Sequence, residues 1–86
     1  MGIKLSRSEQ MVIRTMRQLD EAFGDTYIIS WEYPGRILLD HKDSLKLITL
    51  EFGGRCWVWS DFNGGRGGMF LTGNPEIVVK VMSEVA

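Results

Sequence analysis

The chain has a single cysteine, Cys56, a single histidine, His41, and only two prolines in 86 residues. One cysteine excludes an intramolecular disulfide. Small extracellular domains are usually stapled by several, so a reducing compartment and a cytoplasmic location are expected. No stretch approaches the roughly 18 apolar residues of a membrane-spanning helix. The leading residues, Met1 to Ser8, lack the apolar centre of a signal peptide. A predominance of one charge is missing too: ten basic and eleven acidic residues leave a formal net charge of −1. Phosphate-backbone binders usually carry a basic footprint, so a protein partner is favoured over nucleic acid, and no membrane partner is expected.

What is present suits one ordinary folded domain over residues 1–86. Hydrophobic residues make up 44% and charges are mixed rather than blocky, which argues against disorder.

The first helix announces itself at Ser6-Arg7-Ser8-Glu9, a capping-box pattern. Val12, Met16, Leu19 and Phe23 then recur at spacings of four, three and four, one face of an α-helix over residues 7–23. Gly24 is placed to end it as a left-handed cap. Thr26 to Glu32 is rich in aromatic and β-branched residues and reads as a strand. Pro34-Gly35 is a turn signal, followed by a second strand, Arg36 to Leu39, and a polar turn from Asp40 to Ser44.

A third strand, Leu45 to Phe52, is expected to turn at Gly53-Gly54 into a fourth, Arg55 to Ser60. That turn sets Phe52 opposite Arg55, Leu50 opposite Trp57 and Ile48 opposite Trp59. Ile48, Leu50, Trp57 and Trp59 then share one side of the sheet, and Thr49, Glu51, Cys56 and Val58 the other. Leu45-Lys46-Leu47-Ile48 breaks the alternation and suggests a bulge. Residues 60–68 read as an irregular glycine-rich loop, leaving Met69 to Thr72 for a last short strand. Asn74-Pro75-Glu76 opens the final helix, with Val78, Val81, Met82 and Val85 as its apolar stripe.

The resulting fold class is α+β: an antiparallel sheet of four to five strands with N- and C-terminal helices packed on one face, in the order α-β-β-β-β-(β)-α. The face carrying Ile29, Trp31, Ile48, Leu50, Trp57 and Trp59 takes the helices. The opposite face, with Ser30, Glu32, Thr49, Glu51, Cys56 and Val58, is left partly uncovered.

No catalytic constellation emerges. His41 between Asp40 and Asp43 suits a polar turn better than a general base, and a single histidine is poor metal-ligand spacing. Cys56 sits inside a strand, not at a helix N-terminus where thiols are activated. The glycine-rich run 64–68 lacks the strand-before, helix-after context and the Lys-Ser/Thr ending of a phosphate loop. Large aromatics dominate small cores, so the tryptophans are assigned there rather than to a stacking platform.

No metal, cofactor or enzymatic activity is therefore expected. The reading that remains is a small protein-interaction module, a regulator or inhibitor acting on another protein, or a homodimer. Its binding residues are Phe62 and Arg66 as anchors, Asn63 as an adaptable contact, and Val58 and Glu51 on the open face. The alternative is a binder of single-stranded nucleic acid or a small ligand, using exposed aromatics with Arg36, Arg55 and Arg66.

Overall fold

A computed structural model describes residues 6–32, 35–62 and 64–85. Two helices and five strands follow in the order α1 (Arg7–Phe23), β1 (Tyr27–Glu32), β2 (Arg36–His41), β3 (Leu47–Gly53), β4 (Cys56–Asp61), β5 (Arg66–Leu71) and α2 (Pro75–Val85). The sheet is an antiparallel meander whose strand order is its chain order.

The capping box forms as its residues dictate. Ser6 Oγ accepts from the Glu9 amide at 3.1 Å, and Glu9 Oε1 accepts from the Ser6 amide at 3.2 Å, so two amides that α1 leaves unpaired are satisfied. At the other end Gly24 stays right-handed, with φ −60°, rather than adopting the expected left-handed cap. Its amide still bonds to the Asp20 carbonyl at 2.8 Å, and Lys42 Nζ donates to the Gly24 carbonyl at 2.7 Å. A lysine thus does at α1 what a left-handed glycine does elsewhere. Lys46 serves α2 in the same way, donating to the Val85 carbonyl at 3.2 Å. Both helices therefore end at the β2–β3 connection, and both begin at the β3–β4 end of the molecule, where Gly73 and the first turns of α1 line a common cleft.

The two helices cover one sheet face. Val12 and Leu19 of α1 and Val78 and Met82 of α2 are buried against Ile37, Leu39, Ile48, Leu50 and Trp57. Trp59 is half-buried on the same face, so both of these tryptophans lie on the helix side. Trp57 Nε1 is buried with no hydrogen-bond partner, a penalty accepted to bury the largest side chain of the core.

The β3–β4 register differs from the one read off the sequence. Phe52 faces Trp57, Leu50 faces Trp59 and Ile48 faces Asp61. The turn lies at Gly54-Arg55, one residue later than Gly53-Gly54. A turn with positive φ at its first central position alone needs one glycine there; Gly54 has φ +77° and Arg55 does not. The slip moves one residue on each strand, so side-chain parity is kept and the faces are unchanged.

Residues 60–68 are also more ordered than expected. Ser60 and Asp61 belong to β4, and Arg66, Gly67 and Gly68 to β5, with Phe62, Gly64 and Gly65 in the connection between them. An added Cβ at Gly68 would sit 2.7 Å from Trp59 Nε1, so the glycine is the space into which the indole lies. Asp40 and His41 likewise extend β2 instead of starting a turn. The β2–β3 register is unbroken from Leu47, so the broken alternation at Leu45 reflects the preceding bend, not a bulge. The Pro34 position of the first hairpin lies outside the described residues.

Candidate functional site

The sheet face away from the helices collects Ile28, Ser30 and Glu32 of β1, Arg36, Leu38 and Asp40 of β2, and Leu47, Thr49 and Glu51 of β3. Cys56, Val58 and Ser60 of β4 and Met69 and Leu71 of β5 complete it. Two cross-strand rows matter. In one, Glu32, Arg36, Glu51, Val58 and Met69 stand side by side; in the next, Cys56 faces Leu71. Val58 is 47%, Met69 69% and Leu71 76% exposed, so the β4–β5 half is a contiguous apolar patch. Arg36 closes the other side. Its Nη2 lies 3.3 Å from Glu51 Oε2 and its Nη1 3.8 Å from Glu32 Oε1, forming a charged rim.

The β4–β5 turn is fixed by Asp61. Its side chain is only 4% exposed and its Oδ1 accepts from the Gly64 amide at 3.1 Å, while its carbonyl accepts from the Gly65 amide at 3.0 Å. Gly65 supplies the positive φ, +64°, that reverses the chain. Phe62, whose amide donates a hydrogen bond to the Leu47 carbonyl at 3.1 Å, is left 65% exposed.

The residues singled out in the sequence therefore separate. Glu51 and Val58 are directly opposite one another on the open face, and Phe62 stands exposed at the turn that follows β4. Arg66 pairs with Asp61 on the other side of the sheet, Nη2 to Oδ2 3.7 Å, and so does not share their surface. Asn63 lies outside the described residues. Met69 and Leu71 are the exposed apolar members of this face that the sequence reading did not place there. Met69-Phe70-Leu71 is apolar throughout, so only the pairing with β4 decides which of its side chains face outward, and the glycines before it read as loop.

The alternative chemistries are dispersed as well. His41 is on the helix side at one end of the sheet, its ring edge-on to Tyr27 at 5.0 Å and its Nδ1 accepting from the Asp43 amide at 3.1 Å. Cys56 is on the open face at the other end, paired with Gly53 and Leu71, so the two form no dyad. Among the described residues no group of three or more His, Cys, Asp or Glu gathers where a metal ion would bind. Of Arg36, Arg55 and Arg66, the first is in the acidic rim and the last beside Asp61. Burial, and secondarily the Asp61 carboxylate, raises the Tyr27 hydroxyl above its ordinary 10.0.

Two clefts of opposite character flank the helices. One, of about 340 Å³, lies at the start of α1 and includes Arg7, Arg14 and Arg55 in its wall. The other runs between the helices and includes Glu21 and Glu76. Among the described residues no helix is long and apolar enough to cross a membrane. The chain matches no protein-family model, no curated protein and no solved structure.

Proposed function

We propose that the protein is a binding module whose open sheet face docks another protein, and that it acts as a regulator or inhibitor through that contact. The observation that carries this reading is the patch Val58–Met69–Leu71, three exposed apolar side chains on adjacent paired strands that no helix covers among the described residues. Exposed apolar residues scattered singly need no explanation; neighbours in register do. The Glu32–Arg36–Glu51 rim supports it, since interfaces combine an apolar centre with a polar margin. Phe62 extends the surface past the end of β4 as a second anchor.

Immobilised wild type and the double variant Met69→Lys/Leu71→Lys are compared for retention of lysate proteins after nuclease, with circular dichroism showing that the variant folds. Retention by the wild type alone is the expected outcome. Concentration-dependent self-association that the variant abolishes would make a second copy the partner. Equal retention by both would refute the sheet-face assignment.

A further inference from the structure

We infer that the cleft beside the first turns of α1 is a binding site for a small polyphosphate anion, such as a diphosphate-bearing metabolite. It rests on different residues from the sheet face and does not depend on that surface. Arg7 and Arg14 reach this cleft from α1, two helical turns apart and so on one side of the helix, and Arg55 reaches it from the β3–β4 turn. Among the described residues no carboxylate lines the cleft. Glu9, the acid of the first turn, is turned back onto the Ser6 amide. None of the three guanidinium groups is in an ion pair among the described residues, whereas Arg36 and Arg66 both have carboxylate partners.

The cleft is a shallow, solvent-open groove of about 340 Å³, so a small anion can reach its walls directly from solvent. Gly54 and Gly73 contribute bare backbone to the wall, and at each an added Cβ would meet nothing within 4 Å, so a ligand can approach the main chain closely. Phe52, half-buried against Trp57 with ring centroids 4.6 Å apart, supplies an apolar side. Three guanidinium forks match the several oxyanions of a diphosphate better than one carboxylate. A long phosphate backbone fits less well. Beyond Arg17 the helix continues into Asp20 and Glu21, and with Asp25 just past its end the basic surface stops within the length of α1.

The test is isothermal titration calorimetry of the full chain with sodium pyrophosphate, at ionic strength fixed with potassium chloride. Arg14→Gln and Arg55→Gln are compared with Lys80→Gln, which removes the same charge from an exposed position of α2 outside the cleft. Saturable binding is expected, weakened about tenfold or more by each arginine variant and unchanged by Lys80→Gln. Each variant is checked by circular dichroism. Absence of saturable binding at millimolar pyrophosphate would overturn the proposal, as would an equal loss with Lys80→Gln. Tighter binding of a single-stranded oligothymidylate, with a steep salt dependence shared by all variants, would overturn it in favour of a nucleic-acid surface.

Discussion

Replacing Gly68 with alanine tests whether a glycine in β5 exists to admit a tryptophan from β4. The new Cβ would lie 2.7 Å from Trp59 Nε1, 3.1 Å from Cε2 and 3.3 Å from Cζ2. Carbon contacts settle at about 3.5–4.0 Å, so the indole must move by roughly 1 Å. Trp59 is half-buried against the core and cannot swing away without losing packing. Overpacking of this kind costs about 1–3 kcal/mol. The entropy gained by replacing a strand glycine returns about 0.5–1 kcal/mol. The net is a loss of up to about 2.5 kcal/mol, centred near 1 kcal/mol. With a urea slope of about 1 kcal/mol/M, the midpoint falls by about 1 M. Gly73→Ala, where nothing lies within 4 Å, is the matched control and is expected to leave the midpoint nearly unchanged. The decisive measurement is a double-mutant cycle with Trp59→Leu. If the ring is the obstacle, Gly68→Ala becomes neutral in that background. An undiminished cost there would refute the reasoning.

Two further outcomes concern Asp61 and Tyr27. Asp61→Ala removes the acceptor that holds Gly64, and is expected to cost about 1.5–3 kcal/mol in urea unfolding. Asp61→Asn keeps an acceptor oxygen and is expected to cost less than half as much, because the Arg66 contact, at 3.7 Å from a side chain 59% exposed, contributes little. Tyr27, raised by burial and then by Asp61, stays protonated in the folded chain at a pH where the unfolded chain has begun to ionise near 10. The unfolded state then binds fewer protons than the native one, so this contribution to stability is complete below pH 10 and is lost as pH rises through the folded value. Tyr27→Phe removes the group. The stability of wild type relative to Tyr27→Phe, from urea titrations at pH 8 to 11, is expected to be flat at first and to decline above pH 10.

Local chemistry was legible in the sequence wherever it was sufficient to decide the structure. The Ser6–Glu9 box and the Val12–Phe23 stripe delimit α1 at Arg7–Phe23 without help from the rest of the chain. Parity along β3 and β4 separates the buried Ile48, Leu50 and Trp57 from the exposed Val58, and it survives the displaced turn. What the sequence conceals are features made by distant partners. Gly68 resembles loop until Trp59 lies across it, and Gly24 resembles a left-handed cap until Lys42 arrives from eighteen residues away. The candidate surface was half visible for the same reason: Val58 and Glu51 follow from alternation, whereas Met69 and Leu71 depend on β5 beginning at Arg66. The arginine cleft joins residues 7, 14 and 55 and had no linear signature.

Strand order that repeats chain order also bears on how the domain forms. Every strand pairs with its immediate successor, so the sheet assembles through hairpins, each closing a short loop at small entropic cost. Contact between α1 and α2 is different, for it joins opposite ends of the sequence. Local pairing of this kind favours rapid assembly of the sheet, whereas the α1–α2 contact carries the largest loop-closure cost. Until α2 docks, Val78 and Met82 leave one side of the core without its cover. A chain whose second helix is undocked therefore exposes apolar core surface, the condition that favours aggregation and proteolysis.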